Sequence, residues 1–275
     1  MVYIREDLKT VFSQYKSIDD FLNINNNIVR DFKNRKTGRF ELSGKGFYIK
    51  KHFECGMGTL IDELLNLRKP HIGAVHERIA LDKLSELGID TMKVAAFGTD
   101  GNTLSSQRSF IVTDEITNVI SLEDFCQPWP TTPPPIDLKN GLIRKVASIA
   151  KEQHKNGINH RDFYICHFLL DIATIDQLHH KKTPRIYLID LHRAQIRNKV
   201  PFRWRVKDIG ALYYSALNIG LTPRDLIRFI RCYTGEPAKK SLVRDKAFWH
   251  AVQNRAVKIY QRDFKSTPTL VLKSK

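Results

Sequence analysis

The stretch QPWPTTPPPID, Gln127 to Asp137, divides this 275-residue chain more sharply than any other feature. Proline lacks a backbone N–H and fixes φ, so such a cluster cannot run through a helix or a central strand and reads as a connector. Ahead of it, RFELSGKGFYIKKHF (Arg39 to Phe53) is two alternating runs around Ser43–Gly46, a hairpin pattern. HIGAVHERIALDKLSELG then places Val75, Ile79, Leu84 and Leu87 near helical spacing, with Gly88 as a stop. MKVAAFG and SQRSFIVTDEI read as strands separated by Asp100-Gly101-Asn102. Behind the connector the pattern turns helical. LKNGLIRKVASIAKEQHKNG (Leu138 to Gly157) carries one apolar stripe, and TPRDLIRFIRCY opens on Thr222 as N-cap with Pro223 at the first helical position. The C-terminal stretch from Val243 has helical spacing through Phe248, Val252 and Ile259, then a loose basic end. Strands first and helices second predict an α+β chain with a β-rich lobe over 1–115 and a helical lobe over 116–275.

Composition narrows the partners. The 45 Lys+Arg against 29 Asp+Glu leave a net charge of +16, a field that attracts nucleic acid, an anionic membrane surface or acidic substrates. Cys55, Cys126, Cys166 and Cys232 show no zinc spacing and read as reduced thiols of a cytosolic protein. Glu6 and Asp7 stand where a signal peptide would have its apolar core, and no run is long enough for a membrane helix. Any membrane contact is therefore expected from the side, through charge.

Three residue groups carry chemistry. His160-Arg161-Asp162 follows a helix through the Gly157-Ile158-Asn159 turn, and phosphoryl transfer needs a carboxylate to accept the attacking hydroxyl's proton. Asp190 ends the apolar run IYLID, where a carboxylate needs a partner such as a magnesium ion or a neighbouring arginine. Lys50, in FYIKKH, alternates with Phe47 and Ile49, and Glu77 on the next helix is its natural counter-ion; Lys51 beside it leaves the register open by one residue. Each signal alone has a plain structural reading: a chance triplet, a strand-end cap, a solvated lysine. Their order is that of a kinase: strand lysine, helix glutamate, HRD, then Asp after an apolar strand. It predicts the two-lobed protein-kinase-like fold, with an antiparallel-sheet N-lobe and a mainly helical C-lobe.

GINHRDFYICHFLL, IDLHRAQIR, VPFRWRVKDI, LNIGLTPRDL, SFIVTDEI and SLEDFC together resemble the lipopolysaccharide core heptose(I) kinases, from about Phe40 to Arg262. The resemblance implies ATP- and Mg²⁺-dependent phosphorylation of the first inner-core heptose, at its 4-hydroxyl, on the cytoplasmic side of the inner membrane. It makes Asp162 the catalytic base, Asp190 the metal ligand, Lys50 the phosphate lysine and Glu77 its partner. Gly44, Gly46, Thr113, Asp114 and Glu115 complete the expected ATP-binding set, with His160 and Arg161 as auxiliaries. The chain departs from eukaryotic protein kinases at His167, where a second metal-binding asparagine would stand five residues after Asp162; His167 is expected to bond a phosphate or to orient Asp162. His192 replaces the glycine of Asp-Phe-Gly, so activation-loop regulation is not expected. The glycine loop is reduced to Ser43-Gly44-Lys45-Gly46.

HRAQIRNKVPFRWRVK (His192 to Lys207) holds Arg193, Arg197, Arg203 and Arg205 and no acidic residue, with Phe202 and Trp204 between them. Read alone, it is equally a solvated basic face, a nucleic-acid patch or an acceptor site. The resemblance selects the glycolipid acceptor, leaves nucleic acid out, and allows an acidic protein partner. Kinases of polycationic aminoglycosides need an acidic pocket instead. A kinase of the Kdo sugar, or a basic kinase-like protein without turnover, are the other readings.

Overall fold

The computed structural model describes residues 2–32, 34–54, 74–101, 103, 106–175 and 183–270. Cys55, residues 71–73 ahead of the expected helix, Asn102 and residues 271–275 lie outside them. The chain forms two compact units, Met1–Lys83 with Met92–Thr117, and Leu84–Thr91 with Asn118–Lys275.

The first unit is built on a six-stranded antiparallel sheet of order β1-β5-β6-β4-β3-β2. Its strands are β1 (Val2–Ile4), β2 (Asn27–Phe32), β3 (Arg35–Leu42), β4 (Lys45–His52), β5 (Val94–Asp100) and β6 (Arg108–Asp114). The expected hairpin is β3–β4, closed by Ser43 and Gly44 alone, both at positive φ (51° and 72°). Two successive left-handed residues give the turn whose twist matches the flanking strands. The first thirty residues, which carry no clear periodicity, supply β1, β2 and α1 (Ile18–Leu22), the last opened by a Ser17–Asp20 capping box. They close the core: Leu8, Phe12, Phe21, Phe40, Phe47 and Phe110 pack together, with Phe21 stacked on Phe110 at 4.1 Å. Helix α2 (Val75–Glu86) ends before Gly88, at φ 69°. Its buried face is Ala80, Leu81 and Leu84, whereas Ile79 is exposed; the apolar spacing had put Ile79 inside.

The second unit holds α3 (Leu122–Cys126), α4 (Ile136–Lys155), α5 (Phe202–Ser215), α6 (Pro223–Thr234), α7 (Ala238–Arg244) and α8 (Lys246–Phe264). Helix α4 begins two residues earlier than its apolar stripe indicates, because Pro135 serves as its N-cap residue. The Thr222–Asp225 capping box and Pro223 start α6 as expected. Phe248, Val252 and Ile259 of α8 are buried on one face. Between helices run β7 (Val119–Ser121), β9 (Phe168–Asp171) and β10 (Ile186–Leu188) as one small sheet, and β8 (Ile158–Asn159) with β11 (Gln195–Ile196) as another. Among the described residues no helix is long and apolar enough to cross a membrane.

Candidate active site

In the first unit, strand alternation buries Phe47 and Ile49 and turns Lys50 to the opposite face. There its Nζ lies 2.6 Å from Glu77 Oε1, a carboxylate only 2% exposed on α2. The register left open by the neighbouring lysine is decided by packing. Lys51 falls on the core face and sends its ammonium to Ile24 O and Asn26 Oδ1, both at 2.7 Å. Burial pulls the Lys51 pKa down. Of the other expected nucleotide residues, Thr113 is buried opposite Tyr48. The Asp114 carboxylate accepts from Arg5 at 2.8 and 3.2 Å, and Glu115 accepts from Arg39 at 2.7 and 2.8 Å. The Arg39 guanidinium holds Glu115 below the usual carboxylate range, and the Glu115 carboxylate in turn raises Arg39. The Glu115 carboxylate also lies over Gly46, where a Cβ would come within 1.8 Å of Oε2, so a side chain there would displace the ion pair.

In the second unit the HRD triplet is shaped by two neighbours. β8 pairs antiparallel with β11, Asn159 opposite Gln195, so the residues following one strand meet those preceding the other. Arg193 thereby reaches Asp162, with Nη1 2.7 Å from Oδ1. From α5, the fully buried Asp208 accepts the His160 N–H on Oδ2 and the Arg161 N–H on Oδ1, each at 2.8 Å. This clamp holds Arg161 at φ 75°, a left-handed conformation that a branched or long side chain rarely adopts. His154, itself bonded to Tyr233 OH at 2.9 Å, places Nε2 3.2 Å from Asp208. Asp208 was missed by motif reading. Its signal was a carboxylate amid Ile209, Gly210, Ala211 and Leu212, the same mismatch that singled out Asp190.

The three histidines around the site have distinct tasks. His160 is fully buried, its pKa pushed down by burial, and Nε2 donates to Ile189 O at 2.9 Å. His167 stacks on it, ring centroids 5.8 Å apart. A carbonyl can only accept, so His167 Nδ1–H donates to Asp162 O at 2.7 Å and Nε2 faces Asp190 Oδ2 at 3.6 Å. One imidazole thus touches both Asp162 and Asp190. The bond to Asp162 runs to its backbone carbonyl and not to its carboxylate. Asp190 sits at φ 62°, and its Oδ1 accepts from His192 Nδ1 at 2.6 Å. Among the described residues no group of three His, Cys, Asp or Glu side chains is arranged to hold a metal ion by itself. One carboxylate nevertheless suits magnesium, which is held by one or two carboxylates together with substrate phosphates and water.

The arginines of the basic stretch separate. Arg193 is on Asp162, while Arg197 and Arg203 lie over Trp204, joined there by Arg161 from the HRD triplet. Arg205 points elsewhere, its guanidinium 5.3 Å from the Phe248 ring centre, because two residues along a helix is more than half a turn. Also in this unit is an apolar cavity of about 1410 Å³, lined among others by Cys126, Trp129, Leu142, Val146, Leu212 and Ile230. Burial pushes the Cys126 thiol up to about 12, which makes it a packing group.

Comparison with known proteins places this geometry in a lineage. The chain is 42% identical over 262 residues to lipopolysaccharide core heptose(I) kinase WaaP of Escherichia coli K12, covering 95% of this chain and 98% of that one. It is 42% identical over 236 residues to the protein of that name from Pseudomonas aeruginosa, covering 86% and 87%. The solved structure of WaaP in complex with acyl carrier protein superposes with a TM-score of 0.79 at 35% identity, over 94% of this chain and 99% of that one. The model of the lipopolysaccharide kinase (Kdo/WaaP) family matches residues 19–233. With that match spanning most of its length and the kinase-like fold beneath it, this chain belongs to the lipopolysaccharide kinase (Kdo/WaaP) family.

Proposed function

We propose that the protein transfers the γ-phosphate of ATP to the first heptose of the lipopolysaccharide core, at its 4-hydroxyl, at the cytoplasmic face of the inner membrane. The observation that carries the chemistry is Asp162, its carboxylate oriented by Arg193 at 2.7 Å and its loop fixed through both N–H bonds to Asp208. Asp162 accepts the proton of the attacking hydroxyl and aims its oxygen. Lys50, aimed by Glu77, holds the nucleotide phosphates, and the turn around Gly44 and Gly46 with Thr113, Asp114 and Glu115 forms the rest of the nucleotide-binding set. Asp190 would hold Mg²⁺, which when bound would neutralise charge developing on the transferred group.

The heptose assignment rests on the names of the two relatives, and it is favoured over the Kdo sugar for that reason. The net charge of +16 supports a second reading of the surface, an acidic carrier-protein partner, since the solved relative is WaaP in complex with acyl carrier protein. The apolar cavity has the polarity to accept an aliphatic chain of the kind such a carrier bears.

The test is incubation with ATP, magnesium and dephosphorylated core glycolipid, followed by mass and positional analysis of the product. Asp162→Ala should lower turnover by about 10²–10⁴-fold, and Asp190→Ala should abolish magnesium-dependent turnover. Wild-type rates in the Asp190 variant would refute the mechanism, and phosphate on another sugar would refute the acceptor.

A further inference from the structure

Several arginines among the described residues lie against carboxylates: Arg5 on Asp114, Arg39 on Glu115, Arg108 on Asp100, Arg185 on Asp90, Arg244 on Glu236. Around Trp204 several cations gather on one ring. The guanidinium carbons of Arg161, Arg197 and Arg203 lie 5.0, 5.8 and 5.2 Å from the indole centre, and Lys207 Nζ lies 4.3 Å from it. Burial, and after it the charges of Arg255, Arg161, Arg203 and Arg193, pull the Lys207 pKa down. Arg161 is likewise lowered, by burial and then by Arg193 and Arg197, with Asp162 and Asp208 opposing. Like charges gathered on one ring repel, and the indole face offsets part of that repulsion.

The cluster is also fixed in place. Arg161 is tied by its N–H to Asp208, and Arg197 donates to Asn159 Oδ1 and Gln195 Oε1, both at 2.6 Å. Arg203 and Lys207 stand one turn apart on α5, flanking Trp204. Preorganised cations that repel one another gain most when an anion enters among them. Arg193 holds the Asp162 carboxylate, the group that must meet the attacking hydroxyl, so the cluster borders the acceptor end of the reaction and not the leaving group.

We propose that Arg161, Arg197, Arg203 and Lys207 form a socket around Trp204 that binds an oxyanion carried by the acceptor glycan, and so restrict the enzyme to acidic acceptors. The proposal rests on the glycolipid-kinase reading and sharpens it. The oxyanion is a sugar-acid carboxylate or a phosphate of the glycolipid; guanidinium forks match both in two-point contacts.

Lys207→Gln and Arg203→Gln test it, with thermal unfolding as a check on folding. Glycolipid binding is measured by calorimetry, and turnover is measured on three acceptors: native, carboxyl-methylated and lipid-dephosphorylated. The expected result is a loss of about ten- to hundredfold in glycolipid affinity and in kcat/KM on the native acceptor, with KM for ATP unchanged. On the acceptor lacking the recognised oxyanion, wild type and variants should converge; which acceptor does so identifies carboxylate or phosphate. Equal losses on all three acceptors, a raised KM for ATP, or unchanged glycolipid affinity would overturn the socket. Should the wild type bind the glycolipid through these residues yet transfer no phosphate to it, the kinase reading fails and the socket stands.

Discussion

Replacing Asp208 offers the sharpest test of how the HRD loop is held. Its two oxygens accept the His160 and Arg161 N–H groups at 2.8 Å each, in a position with no exposure to solvent. Asp208→Asn keeps one acceptor oxygen and turns an amide N–H₂ toward the other donor, leaving one buried N–H unpaired at a cost of about 1–3 kcal/mol. Asp208→Ala strands both, roughly 2–6 kcal/mol, a large part of the ~5–15 kcal/mol that stabilises a typical domain. Without the clamp, Arg161 can leave φ 75° and relax strain of about 1–3 kcal/mol, which offsets part of the loss and moves Asp162. Urea unfolding followed by circular dichroism, with kcat and KM on the native acceptor, separates the two effects. The expected result for Asp208→Asn is a stability loss of about 1–3 kcal/mol and a fall in kcat larger than any rise in KM. An Asn variant within ~0.5 kcal/mol of wild type and with unchanged kcat would refute the clamp.

Lys50→Met strands Glu77, 2% exposed, and should cost about 3–5 kcal/mol together with activity; Lys50→Met/Glu77→Gln should recover stability but not turnover, and failure to recover would show that the pair is not coupled. Burial keeps His160 neutral in the folded protein, whereas the unfolded chain takes up that proton at about pH 6.5. Stability should therefore hold above that pH and fall below it, by up to ~1.4 kcal/mol per pH unit, and His160→Gln should remove this slope; an unchanged slope between pH 7.5 and 5.5 refutes it. Gly157, at φ 78°, has Arg197 O only 1.6 Å from where a Cβ would sit, so Gly157→Ala should destabilise by more than about 2 kcal/mol, read by the same unfolding assay.

The alternation in Phe47–Lys50, the Thr222-Pro223 helix start and the stripe of α8 were legible because each is local: period, cap and breaker act within a few residues. The first thirty residues were not, since Phe12 and Phe21 find their partners on Phe40, Phe47 and Phe110 far along the chain. Ile79 shows the limit of periodicity, which gives a face its spacing but not its direction.

The sequence by itself carried the α+β class, the order of kinase-like motifs and the candidate carboxylates Asp162 and Asp190, because spacing and motif chemistry are written in one dimension. Tertiary structure decided the rest. It put Lys50 and not Lys51 against Glu77, brought Arg193 onto Asp162 through the β8–β11 pairing, and set Asp208 beneath the loop. It also separated Arg205 from the cations around Trp204. The physical reason is common to all four: a charged side chain settles where burial, partner geometry and the turn of its helix or strand allow, and those are fixed by residues distant in the chain.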